Sequence, residues 1–271
     1  MQDSAATRTS AAWIEKLNSA LIAGDAVAAA ALFGEECYWR DLIALTWNIR
    51  TVEGRDAIIA MLKTAIPAVH PFNFKISEGA REFQGFVEAW FTFETAQARG
   101  VGHLRLKNGT GFTILTTMTE LKGFEERKGA TREQGVVHGA IRNRETWLAR
   151  KTTDEAALGD SKQPYCVIIG GGQGGIALGA RLGRLGVPTI ILEKNKRAGD
   201  SWRNRYQSLV LHDPVWYDHL PYLPFPEHWP VFTPKDKMGD WLEIYAKVME
   251  LNYWTSSQCL KAAYDANIQE W

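Results

Sequence analysis

The sequence predicts two units of different class, an α+β unit followed by an α/β unit. Three observations carry this. Apolar residues recur at helical spacing early in the chain and then at a spacing of two. A polar stretch, RKTTDEAALGDSKQ, breaks that patterning from Arg150 to Gln163. Beyond it come an apolar run, five glycines within six residues, and a second apolar run that ends at Glu193. The boundaries read as residues 1–149, a linker over 150–163, and residues 164–271.

In the first unit, Trp13, Leu17 and Leu21 recur at i, i+4 and i+8 beside Ile14, which predicts one helix. Asp25 reads as the N-cap of an alanine-rich second helix ending near Gly34. A strand is expected at Cys37–Leu42, then a third helix over Gly54–Pro67 with Pro67 as its stop. The period then becomes two. Phe72, Phe74 and Ile76 alternate with polar residues, as do Val87, Ala89, Phe91 and Phe93, and Asn108-Gly109 joins two more alternating runs as a hairpin. An antiparallel meander follows from this.

Composition narrows the function classes. The chain has 271 residues, 45% of them hydrophobic, enough for packed cores. Its 31 basic and 31 acidic residues cancel, which argues against a broad nucleic-acid surface. No apolar run approaches membrane-spanning length, and MQDSAATRTS has no apolar core of signal-peptide type. Cys37, Cys166 and Cys259 give neither a disulfide framework nor zinc spacing, and no metal site is expected. A soluble cytoplasmic protein that meets no membrane and no nucleic acid is the expectation.

The element order of the first unit, with the phrase VEGRDAII, resembles the ketosteroid-isomerase-like cone of the nuclear transport factor 2 superfamily. The resemblance implies a cone-shaped α+β domain with a pocket, and a homodimer formed through this domain. Tyr38 and Asp41 are the residues that would face such a pocket as an acid/base pair; the alternative is a sheet aromatic and a strand-end charge. No catalytic residue is assigned in this unit.

In the second unit, Tyr165–Ile169 reads as a buried parallel strand, followed by Gly170, Gly172 and Gly175 as GxGxxG, a helix from Ile176 and a strand at Pro188–Leu192. The first glycine turns the chain, the second admits a pyrophosphate, and the third lets helix and strand pack. Phosphate then lies at a helix N-terminus. Glu193, about twenty residues on, suits the hydroxyls of a ribose and repels a 2′-phosphate, which points to FAD or NAD rather than NADP. Gly179 and Gly186 extend the glycine pattern.

The residues after Glu193 carry a second resemblance. Gly199-Asp200-Ser201-Trp202, Arg203, Arg205-Tyr206, Leu209, Leu211-His212 and Leu223-Pro224-Phe225-Pro226 are similar to the flavin-containing monooxygenase group, with its Baeyer–Villiger and plant auxin-forming relatives. That group's motif reads GG[ST]W-R-x-RY-x-x-L-x-LH, so Asp200 stands where a second glycine is expected. The resemblance implies a Rossmann-like FAD-binding domain. Its cofactor-binding residues would be Gly170, Gly172, Gln173, Gly175, Glu193, Ser201, Trp202 and His212, while core packing is the alternative for Trp202. For Arg203 and Arg205, surface ion pairing and cofactor contact are both open, and neither is assigned to the site. Thr233-Pro234 is expected to start a scaffold helix striped by Trp241, Leu242, Tyr245 and Met249.

The implied reaction uses FAD and NADPH to oxygenate a small organic nucleophile or carbonyl compound. No second GxGxxG is present, nor the group's FxGxxxHxxx[WY] segment. The FAD-binding domain is therefore expected to be incomplete, with NADPH used by a longer parent and this chain inactive alone. The alternative is a non-catalytic binding or dimerising protein that uses its cone pocket and keeps only a vestigial dinucleotide site.

Overall fold

The computed structural model describes residues 4–136 and 138–271. The chain divides into two compact units, Met1–Glu125 and Glu126–Trp271. Among the described residues no helix is long and apolar enough to cross a membrane.

Unit 1 comprises α1 (Ala5–Ile22), α2 (Ala26–Ala31), β1 (Phe33–Leu42), β2 (Ile49–Glu53), α3 (Gly54–Val69), β3 (Phe72–Ile76), β4 (Arg81–Phe83), β5 (Phe86–Glu94), β6 (Ala98–Lys107) and β7 (Thr110–Leu121). The first two helices start where side chains cap them. Ser4 accepts from the Thr7 N–H, and Asp25 accepts from the N–H groups of Val27 and Ala28. α3 does not stop at Pro67, as the sequence suggested. It runs on to Val69 and closes when His70 turns left-handed at φ 46° and donates its N–H to the Ile66 carbonyl. Proline costs that last turn one hydrogen bond without ending it.

The sheet runs β2-β1-β7-β6-β5-β3, with β4 beside β5. Its neighbours are antiparallel except for β1 and β7, which run parallel, so the sheet is mixed rather than a pure meander. Asn108 and Gly109, both at positive φ (52° and 79°), turn the chain between β6 and β7.

Helix residues Trp13, Leu17, Ile58 and Leu62 pack with Phe33, Trp39, Phe91, Phe93 and Leu104 into one core. Rings this large need room, and glycines in β6 and β7 provide it. A Cβ on Gly102 would lie 2.1 Å from the Phe91 ring, one on Gly100 2.3 Å from the Phe93 ring, and one on Gly111 2.7 Å from Trp13.

Tyr38 and Asp41 do not form a pair. Three residues apart on a strand, they point to opposite faces. The fully buried Asp41 carboxylate accepts from the Leu45 and Thr46 N–H groups and from the hydroxyls of Thr46 and Thr116, at 2.7–3.1 Å. It braces the turn after β1. Tyr38 stacks edge-on against Phe112, with ring centroids 5.8 Å apart.

Unit 2 comprises α4 (Trp147–Ala157), β8 (Cys166–Ile169), α5 (Gln173–Arg184), β9 (Thr189–Leu192), α6 (Asp200–Arg203), α7 (Lys235–Val248) and β10 (Tyr253–Trp254). The three strands are parallel in the order β10-β9-β8. α5 buries Ile176, Gly179 and Ala180, and α7 buries Leu242 and Tyr245 in a cluster with Leu211, Leu220 and Phe225. β8 leaves Val167 and Ile169 exposed. Thr233 does not cap α7: Pro234 holds that position with no side-chain hydrogen bond.

The polar stretch at 150–163 is not a plain linker. Thr146 caps α4 by accepting from the Ala149 N–H, and no residue of that helix is buried, so its charges conceal its period. Gly159 then turns at φ 89° against Trp254 and Ile190, with no room for a Cβ. Upstream, Glu126 accepts hydrogen bonds from Arg181 and Tyr222.

The glycine openings in unit 1 are testable. Gly102→Ala should destabilise the chain by about 1–3 kcal/mol, because the Leu115 carbonyl at 2.4 Å is backbone and yields little. Urea denaturation followed by tryptophan fluorescence reads this out; an unchanged midpoint would refute it.

Candidate functional site

The candidate site forms at the C-terminal ends of β8 and β9, where the glycine run turns from strand into helix. Gly170 takes φ 102°, a left-handed value that suits glycine, and its N–H donates to the Leu192 carbonyl at 2.9 Å. A Cβ on Gly175 would lie 2.0 Å from the Gly170 carbonyl oxygen, and one on Gly179 2.6 Å from Ile191. These two glycines let α5 lie against the strands. The steric demand is in the fold itself.

Gly172 differs. It caps α5 with no side-chain hydrogen bond, its φ is an ordinary −73°, and an added Cβ would meet only Ser201, at 3.7 Å. The N–H groups of the first turn of a helix have no partner within the helix. The Ser201 hydroxyl is buried beside this position without a hydrogen-bond partner. Trp202 donates its ring N–H to Gln173 at 3.0 Å, which ties α6 to the first residue of α5.

Glu193 is 5% exposed, and its carboxylate accepts three hydrogen bonds: from the Gly171 N–H at 2.9 Å, the Asn195 N–H at 2.8 Å and the Asn195 side-chain amide at 2.6 Å. Tyr253, at the start of β10, donates its hydroxyl to the Gly171 carbonyl at 2.7 Å. Burial, then the nearby Glu193 and Asp200 charges, push that hydroxyl well above the usual tyrosine range.

The structure thus gathers Gly170, Gly172, Gln173, Gly175, Glu193, Ser201 and Trp202 around one turn. His212 is exposed next to buried Leu211 and makes no hydrogen bond to the turn among the described residues. Arg203 is taken up by Asp200, Asp240 and Glu243 at 2.8–3.1 Å, an ion-pair role. Asn195 and Tyr253 were not found from the sequence. Asn195, two residues beyond the glutamate, is a local donor to its carboxylate; nothing in spacing marks Tyr253.

A concavity of about 850 Å³ in this unit is lined by Trp147, Arg150, Lys151 and Pro188 among others, and by none of these residues. It lies toward the N-terminal end of β9, whereas ligands of open α/β sheets bind beyond the carboxyl ends. The glycine turn is therefore the better candidate. No group of three or more His, Cys, Asp or Glu side chains that could hold a metal occurs among the described residues.

No protein-family model matches the chain. It is 34% identical over 133 residues to the indole-3-pyruvate monooxygenase YUCCA1 of Oryza sativa subsp. japonica, covering 49% of this chain and 29% of that protein. It is 40% identical over 85 residues to an uncharacterized CzcO-like oxidoreductase of Geobacillus kaustophilus, covering 31% of this chain and 24% of that protein. Among solved structures, a flavin-containing monooxygenase from Stenotrophomonas maltophilia is similar at 25% identity with a TM-score of 0.35, over 37% of this chain and 31% of that one. Both curated relatives are named as oxidoreductases, the first of them a monooxygenase. The chain spans about a quarter of the length of the curated relatives it matches.

Two glycines of the turn should separate cleanly on substitution. Gly175→Ala should lower the unfolding midpoint of unit 2, since the opposing atom is a carbonyl oxygen of the backbone. Gly174→Ala meets nothing within 4 Å and should leave stability within about 1 kcal/mol. Equal effects in chemical denaturation would contradict the assigned packing.

Proposed function

We propose that unit 2 carries the FAD-binding portion of a flavin-dependent, NADPH-using monooxygenase whose substrate is a small organic nucleophile or carbonyl compound. One observation carries the reading. Gly172 is a glycine that the fold itself does not require, and a Cβ there would fill the space in front of the α5 N-terminus, beside the unpartnered Ser201 hydroxyl. Free N–H groups, the helix dipole and a buried donor without a partner suit a pyrophosphate.

In this reading the first turn of α5 and Ser201 hold the phosphates. Glu193 accepts from the ribose once the Asn195 amide gives way, because that amide and the Asn195 N–H share one carboxylate oxygen. The carboxylate also disfavours a 2′-phosphate at this position. Trp202 is held beside this turn by its hydrogen bond to Gln173. The flavin supplies the oxygen chemistry when bound.

FAD titration tests this. Gly172→Val should fold as the parent does, by circular dichroism, and lose flavin, and Glu193→Ala should bind it more weakly. A folded Gly172→Val variant that retains flavin would refute the reading, as would tighter binding of NADP than of FAD.

For unit 1 we infer a cone-like domain that pairs with a second copy rather than one that encloses a ligand. Its interior is filled by aromatic rings, while Trp90 is 46% and Val101 36% exposed on the other face of the sheet. Pairing would cover such a patch. Sedimentation over a range of concentrations should show a monomer–dimer equilibrium that Trp90→Glu abolishes; a monomer throughout overturns it.

A further inference from the structure

The glycine fingerprint constrains positions 170, 172 and 175 and leaves 171 free, yet Gly171 is buried and any side chain there would have to displace Tyr253. A Cβ on it would lie 2.1 Å from the Tyr253 hydroxyl oxygen and 2.4 Å from the ring. The tyrosine occupies the place a side chain would take. Its hydroxyl donates to the Gly171 carbonyl, while the Gly171 N–H donates to Glu193.

We propose that Tyr253 is a positioning residue for anion binding: by holding the Gly171 carbonyl, it aims the Gly172 N–H at the α5 N-terminus. The geometry follows from the planar trans peptide, in which C=O and N–H point in opposite directions. The Gly171 carbonyl faces Tyr253, so the Gly172 N–H of the same peptide faces away from it, where phosphate oxygens would lie. A Gly–Gly peptide has little steric resistance to rotation. Released, it can turn its carbonyl into the site and oppose an anion. The preceding peptide is held as well, its N–H by Glu193 and its carbonyl against Gly175. Tyr253 closes the one remaining freedom. Burial keeps its hydroxyl protonated and therefore a donor.

This rests on the reading of the turn as a dinucleotide site, and the experiment separates the two. Calorimetric titrations use ADP, which carries the pyrophosphate, and adenosine, which lacks it, against the unmutated chain, Tyr253→Phe and Gly171→Ala. Tyr253→Phe keeps the ring and removes only the hydroxyl. It should weaken ADP about tenfold, the size of one lost hydrogen bond in a polar site, and leave adenosine within about twofold. Gly171→Ala should change the ratio in the same sense, because its methyl displaces the hydroxyl. A general loosening of the fold would weaken both ligands alike and overturn the proposal. So would an ADP-to-adenosine ratio equal to that of the parent. If the unmutated chain binds neither ligand, the dinucleotide reading itself falls, and this inference with it.

Discussion

Unit 2 is organised by one close approach, that of Gly175 to the carbonyl oxygen of Gly170. Because no Cβ intervenes, α5 starts directly over the end of β8, and its first turn opens toward the carboxyl ends of the strands. Everything else at the candidate site is secured relative to that turn. The Gly171 N–H reaches Glu193 at the end of β9, and the Gly171 carbonyl reaches Tyr253 at the start of β10. Three parallel strands are thereby tied together by one glycine as well as by their ladder. Shifting α5 outward by the size of a methyl group would disturb all of these contacts at once.

Unit 1 uses glycine for the opposite purpose. There Gly100, Gly102 and Gly111 make room for rings, and the space between helices and sheet is filled rather than opened. One buried polar network is closed internally: Trp39 donates to Thr116, which donates to Asp41, which also accepts from the turn after β1. A network with its donors and acceptors paired stabilises a shape and leaves nothing over for a ligand. Outside that network, the buried hydroxyls of Ser10 in α1 and of Ser201 at the glycine turn of unit 2 have no hydrogen-bond partner.

Legibility in the sequence followed the range of the interaction. Elements set by local rules were readable, such as the Asp25 cap, the Asn108-Gly109 turn and the strand–glycine–helix order after Cys166. Features set by distant partners were not. Tyr253 lies 82 residues from Gly171, and no periodicity encodes that contact. α4 was hidden because an unburied helix has no apolar stripe to reveal it. Pro67 misled because the cost of one lost hydrogen bond near a helix end is small beside burying Ile66 and Val69. The Tyr38–Asp41 pairing failed on strand parity, which the sequence did contain.

Asp200 bears on how far a departure from a motif should weigh against a site. It replaces a glycine next to the residues argued to face the ligand. Its carboxylate accepts from the Arg197 N–H at 3.1 Å and pairs with Arg203 at 3.1 Å, so it closes the loop between β9 and α6 on itself. Arg203 then joins that loop to α7 through Asp240 and Glu243. The preceding Gly199, at φ 87°, packs its backbone against Gly239 with no space for a Cβ. The loop is thus held from two sides by contacts that involve neither Ser201 nor the Trp202 ring. Those two side chains remain directed at Gly172 and Gln173. The aspartate changes how the loop is fastened and leaves what the loop presents as it was.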